Sequence, residues 1–278
     1  MKLRSTKSKS LAAEAYKQKA DSIVIEDEPT QEGGEFQDFL SLTYGPPKIC
    51  KSTLWSLFPG VYFLPTEAAY KSLKIRKTHI PNWVTFTKFI TTMEKRPKLY
   101  STVSIWCIDT VDNLSKFCMQ YVCGRENISH PTDQDWGKGW EAFKDEFTHW
   151  ILRLCALGPG VSFISHQNER EVVVHGVKMP KEVPAMPKTT YTVINNLVDI
   201  ILKVSWTGKI KKRKDTLSSK RCLYTKPTAM YDAGDRTGKL PDEIPFRKEQ
   251  EAVDIILRCF EIHRKKRKTK KRKHRRKK

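Results

Sequence analysis

From residue 36 onward the chain alternates short apolar runs with amphipathic stretches. "FLSLTYG" (39–45) is an apolar run closing on glycine and predicts a buried strand. "KSTLWSLF" (51–58) has helical spacing, and "VYFL" (61–64) predicts a second strand. "WVTF" (83–86) is a third strand candidate, followed by an amphipathic helix over "FTKFITTMEKR" (86–96). "VSIWCID" (103–109) predicts a strand that closes on an acid. The next stretch, "TVDNLSKFCMQYV" (110–122), places Leu114, Phe117, Cys118 and Tyr121 on one helical face. A polar loop, "GRENISHPTDQDWGKG" (124–139), precedes a long amphipathic helix over 140–157. "GVSFIS" (160–165) predicts a strand, and "REVVVHGVKMP" (170–180) a hairpin-like excursion. "INNLVD" (194–199) ends a helix and "IILKVSW" (200–206) is a strand. A basic turn (208–220), a further strand "RCLYTKP" (221–227), a loop-rich stretch (228–246) and a final helix (247–263) complete the order.

Strands that alternate with helices predict an α/β domain with a mostly parallel central sheet flanked by helices. Residues 1–35 lack apolar periodicity, start basic and end acidic in "EDEPTQEGGE", and predict a flexible or partly helical arm. The folded domain is expected over 36–263, with a disordered tail over 264–278.

Charge sharpens this division. The net charge is +21, and 264–278, "RKKRKTKKRKHRRKK", holds thirteen Lys or Arg, which leaves about +8 for the other 263 residues. Hydrophobic residues make up 38% and charged residues 30%, enough for a core beneath a highly charged surface. Neither a secretory signal nor an apolar run of about 18 residues is found, which excludes a membrane-spanning class. The seven cysteines (Cys50, Cys107, Cys118, Cys123, Cys155, Cys222, Cys259) sit mostly in apolar runs. Together these features predict a soluble protein of a reducing compartment with free thiols. The expected location is the cytoplasm (the host's if the chain is viral), or the nucleus if the source is eukaryotic. "CMQYVC" lacks a second cysteine pair, so Cys118 and Cys123 are read as helix core rather than metal ligands.

Candidate chemistry gathers at strand ends. "YGPPKICKST" (44–53) approaches the phosphate-loop pattern G-x-x-x-x-G-K-[ST]. Gly45, Lys51 and Ser52 fit, whereas Cys50 stands where the second glycine belongs. Such a loop, here Gly45, Pro46, Pro47, Lys48, Ile49, Cys50, Lys51, Ser52 and Thr53, points backbone N–H groups and a helix N-terminus at phosphate oxygens. Lys51 would reach the terminal phosphates of ATP and Ser52 would hold Mg²⁺. Lys48 adds charge or merely solvates the loop. A side chain at the Cys50 position costs of order 1 kcal/mol if the backbone is left-handed, or about 5–10-fold in affinity. The alternative is an ordinary glycine turn before a lysine-capped helix.

Three further stretches stand at successive strand ends. Glu67 lies just past the second strand, where it is either a site carboxylate or a favourable charge at a helix N-terminus. Asp109 closes a buried strand, as a metal-shell acid does, or caps the following helix. Ser165, His166 and Gln167 follow another buried strand and suit a γ-phosphate sensor or an ordinary surface.

These motifs resemble those of RecA-like P-loop ATP-binding proteins of bacteriophages, some of which act in ATP-linked single-strand annealing or recombination. The resemblance rests on "YGPPKICKST", "FLPTEAA", "WCIDTVDNL", "FISHQNERE" and "LYTKPTAMYDAGDRTGKLPDEIP", and covers roughly residues 37–246. It implies a Mg²⁺-dependent ATPase with work on DNA in recombination, repair or replication. It implies that Glu67 activates the attacking water, with Asp112 the next acid along, and that Lys51 stabilises charge. Asp109 and Ser52 would hold Mg²⁺, and His166 or Gln167 would couple the γ-phosphate to conformation. Such proteins often borrow a neighbour's cation, for which Arg236 and Lys239 are candidates in a homo-oligomer. The chain departs from the pattern at Cys50, and at Pro65, where relatives often carry an acid.

Two basic segments suit nucleic acid, chiefly single-stranded DNA. The tail, beginning Arg264, Lys265, Lys266, Arg267 and Lys268, is a polycation with no apolar face, so its binding would be sequence-independent and steeply salt-dependent. It equally suits a solubilising or localisation segment. Lys209, Lys211, Lys212, Arg213 and Lys214 line either a DNA face or a solvated turn. Trp136 and Trp140 could stack on bases, or serve a core or subunit contact. Two other functions remain open: a non-hydrolysing nucleic-acid binder with a degenerate loop, and a helicase-loading or packaging motor.

Overall fold

The computed structural model describes residues 34–68, 70–174, 176–207 and 220–261. Both basic clusters (209–214 and 264–268) and nearly all of the N-terminal arm lie outside the described residues.

Near-continuous apolar runs are the mark of strands buried on both faces, and here they form the middle of one sheet. Strands β1 (Ser41–Gly45) and β3 (Ile105–Asp109) are buried at every residue. With β2 (Val61–Pro65), β4 (Gly160–Val174) and β6 (Ile200–Trp206) they form the parallel part of the sheet. The sheet order is β2-β3-β4-β1-β6-β7-β9, where β7 (Arg221–Tyr224) and β9 (Glu243–Phe246) extend it by antiparallel pairing. Short β8 (Gly234–Asp235) pairs with the start of β6, and β5 (Val177–Pro184) folds back on the second half of β4. The expected architecture, a mostly parallel sheet flanked by helices, is the one observed.

Alternation along each strand builds two cores. Leu42, Tyr44, Trp106, Ile108, Val161 and Phe163 face one layer. That layer contains α2 (Trp83–Lys95), α3 (Val111–Glu126), α4 (Lys138–Cys155) and α5 (Lys188–Leu197). Ile105, Cys107, Ile164, Leu202 and Val204 face the other, where α1 (Lys51–Ser56) and the last helix, α6 (249–261), contribute Leu54, Trp55, Ala252, Val253, Ile256 and Phe260.

Several local expectations change. "WVTF" is the first turn of α2, not a strand: Asn82 Oδ1 accepts a hydrogen bond from Thr85 N at 2.8 Å, and Trp83, Phe86 and Ile90 are buried at helical spacing. Four apolar-rich residues satisfy either period, and the cap decides between them. On α3 the buried face includes Val111, Ser115, Val122 and Cys123, while Tyr121 is 38% exposed. Cys118 and Cys123 are buried on α3. β4 runs nine residues past the predicted strand end, straight into the hairpin with β5. Among the described residues, no helix is long and apolar enough to cross a membrane.

Candidate functional site

The C-terminal ends of β1, β2 and β3, with His166 in the middle of β4, border a cavity of about 460 Å³. Open α/β sheets bind ligands at this edge. Its lining includes Lys51, Ser52, Glu67, Tyr70, Asp109 and His166. Gly45 ends β1 where a Cβ would lie 2.5 Å from the Val204 carbonyl oxygen, so the close approach of β6 demands glycine there.

Cys50 takes the left-handed backbone of the glycine it replaces, with φ 75° and ψ 26°, at the N-cap of α1. The loop thus reaches its shape despite the substitution, at a cost of roughly 1–2 kcal/mol. Burial, then a hydrogen bond donated to Glu249, push the Cys50 thiol above its ordinary range, which disfavours the thiolate. Cys50→Gly is expected to relax this backbone and tighten ATP binding about fivefold, measured by calorimetry.

Lys51 is buried, and its Nζ donates to the carbonyl oxygens of Gly45 at 2.8 Å and Pro46 at 2.9 Å. Desolvation lowers its pKa, while Asp109, Asp112 and Glu67 pull the other way. Ser52 Oγ, on the helix that follows β1, donates to Asp109 Oδ2 at the end of β3 at 2.5 Å, although β4 lies between those two strands. Burial raises the Asp109 pKa, and hydrogen bonds from Ser52 and Tyr70 oppose it. This pair of hard oxygen ligands fits Mg²⁺, which takes few protein ligands and completes its octahedron with water and phosphate.

The "PTE" stretch has a structural logic of its own. Pro65 lacks an N–H, and β2 is the edge strand, which tolerates that loss. Pro65 pairs in register with Asp109, which brings Glu67 beside the cavity. Thr66 clamps the end of β3: its N–H donates to Asp109 O at 2.8 Å, and its Oγ1 accepts from Thr110 N at 2.9 Å. Asn113 Nδ2 donates to Glu67 Oε1 at 2.8 Å and so orients that carboxylate.

Asp112 is not available as a base. Its carboxylate accepts from Ser165 Oγ at 2.5 Å, His166 N at 2.8 Å and His166 Nδ1 at 3.1 Å. His166 lines the cavity, whereas Gln167 stands outside its lining and pairs with Pro184 in the hairpin. Successive strand residues point to opposite faces, so only one of the two can serve.

Arg236 and Lys239 lie at the opposite sheet edge. Arg236 N donates to Asp199 O, next to the start of β6, and its side chain is exposed. Lys239 Nζ sits over the rings of Phe39 at 4.9 Å and Phe260 at 4.4 Å, a contact within its own chain. Neither reaches this chain's cavity. Trp140 packs against Phe143 and His130, while Trp136 is 96% exposed with φ 59°.

Tyr70 and Asn113 do not stand out in the sequence, whereas Thr66 precedes Glu67 in "FLPTEAA". Tyr70 has φ 87° and its hydroxyl donates to Asp109 O at 3.0 Å. Its only sequence signal is proximity to Glu67.

The AAA_24 family model, described as an AAA domain, matches residues 40–237. Among solved structures, the chain is similar to the flagellar accessory protein FlaH from Methanocaldococcus jannaschii. Identity is 12% over 76% of this chain and 85% of that one, with a TM-score of 0.41. No curated protein matches.

Proposed function

Since the chain belongs to the AAA_24 family of AAA domains, and so carries a P-loop ATPase domain, we propose that it hydrolyses ATP with Mg²⁺ and uses the cycle to handle DNA. The observation that carries the ATPase part is the contact of Ser52 with Asp109, beside buried Lys51 and facing Glu67 across one cavity.

In this reading the backbone of 45–53 and the N-terminus of α1 receive the phosphates. Lys51 exchanges its two carbonyl partners for phosphate oxygens and offsets the charge that develops in the transition state. Ser52 and Asp109 would hold Mg²⁺, which would supply charge neutralisation when bound. Glu67, oriented by Asn113, takes the proton of the attacking water. The measurement that tests this is phosphate release with and without single-stranded DNA. A chain that binds ATP but releases no phosphate in either condition would favour the non-hydrolysing reading, in which the Cys50 substitution has retired the chemistry.

The DNA role, in phage recombination, repair or replication, draws its support from the sequence resemblance and from the basic segments. We place the protein in the cytoplasm as a homo-oligomer, in which exposed Arg236 serves a neighbour's cavity. Lys239, enclosed by Phe39 and Phe260, is poorly suited to that task.

Deleting residues 264–278 is expected to leave basal ATP hydrolysis unchanged and to weaken binding to a single-stranded oligonucleotide. Each phosphate neutralised contributes roughly −0.7 to the log–log salt slope, so engagement of about half the charges should flatten the slope by about 4 to 5 units. An identical slope for both proteins across a salt series would make the tail a localisation or partner segment instead.

A further inference from the structure

A buried carboxylate is costly unless its oxygens are satisfied, and that of Asp112 is buried in the first turn of α3. All three of its donors come from Ser165 and His166. These are the last two residues of β4 in register with β1, opposite Tyr44 and Gly45. On the other side Ala185 N closes on the His166 carbonyl at 2.9 Å and on Ser165 Oγ at 3.1 Å. The strand end is therefore held from two elements, and the imidazole is held by one nitrogen. Among the described residues, no hydrogen bond engages the other nitrogen, Nε2, and the ring lines the cavity with Lys51 and Ser52.

We propose that Asp112 is a positioning residue: by holding Nδ1 of His166 it aims Nε2 at the terminal phosphate of a bound nucleotide, so that the site tells ATP from ADP. This rests on the nucleotide reading above. It follows from the two-ended chemistry of imidazole, in which the partner of one nitrogen sets what the other presents. With Asp112 accepting from Nδ1–H, a neutral ring offers only a lone pair at Nε2, whereas a charged ring donates from both nitrogens.

The groups around the ring are Asp112 on α3, Lys51 on α1 and Glu67 beyond β2. The Asp112 hydrogen bond raises the ring's pKa above its ordinary value, against burial and the Lys51 charge. A raised value means that the donating form persists up to that pKa and is lost as pH rises through it. Preference for ATP over ADP should therefore be strongest on the acid side and fall only as pH rises above the ordinary imidazole range.

The test compares ATP and ADP affinities by calorimetry across pH for the full chain, Asp112→Asn and Ser165→Ala. The ring nitrogens are followed by NMR without nucleotide. The expected result is that Asp112→Asn weakens the ATP preference about tenfold and flattens its pH dependence. The His166 titration should also move back toward the ordinary value. Ser165→Ala, which loosens the strand end but spares the ring contact, should keep both properties.

An unchanged ring titration or an unchanged preference in Asp112→Asn overturns the proposal while leaving the nucleotide reading intact. So does a flat preference in the wild-type chain, which needs no folded variant. If the wild-type chain binds neither nucleotide, the nucleotide reading falls and the proposal with it.

Discussion

Lys51→Ala is expected to abolish measurable ATP binding. The Nζ group sits at the root of the loop, within 2.9 Å of two loop carbonyls, and it is the one lysine of the cavity lining that is buried. Charge-assisted hydrogen bonds contribute about 1.5–3 kcal/mol each, so losing two removes at least 100-fold in affinity. Calorimetric titration of both proteins with Mg-ATP decides it. Equal affinities would mean that the cavity is not a phosphate site. The alanine variant should still fold, because Lys51 belongs to neither apolar core.

Glu67→Gln is expected to separate binding from turnover. The amide fills the same space and can still engage Asn113, but it cannot take a proton from water. ATP affinity should stay within about twofold while phosphate release falls by about 10²–10⁴-fold, the usual contribution of a general base. Unchanged turnover would remove Glu67 from the chemistry. Asp112 could not inherit the role, since Ser165 and His166 already occupy its carboxylate.

The sheet and the loop were legible in the sequence because both rest on short-range patterns. Apolar runs such as "IWCID" mark strands buried on both faces, and the loop's spacing is fixed by backbone geometry. The Cys50 position illustrates the limit of this: the sequence shows an exception to the pattern, and only φ 75° shows that the exception still adopts the required backbone. What was not legible depends on contacts distant in sequence. The Asp112–His166 contact spans 54 positions and the Thr66–Thr110 clamp 44, and no local period encodes either. The "WVTF" stretch misleads for the opposite reason, since its four residues are too few to tell one period from the other.

Strand β4 belongs to two structures without interruption. Through His166 it is part of the central sheet, and from Gln167 it is one arm of the hairpin with β5. Eight paired residues at about 3.3 Å each make an arm of about 26 Å. Val173 and Val177 stand exposed near its far end. The His166 ring, which lines the cavity, stands at the fulcrum of this lever. A tilt of about 5° there, which displaces the ring by a fraction of an ångström, would swing the far end by about 2 Å. A label near Val173 whose distance to α6 is the same with ATP and with ADP would show that the arm is not driven. In the proposed cycle, the continuity of β4 would act as gearing, so that the loss of one phosphate at the cavity would be read out at a distance as a stroke.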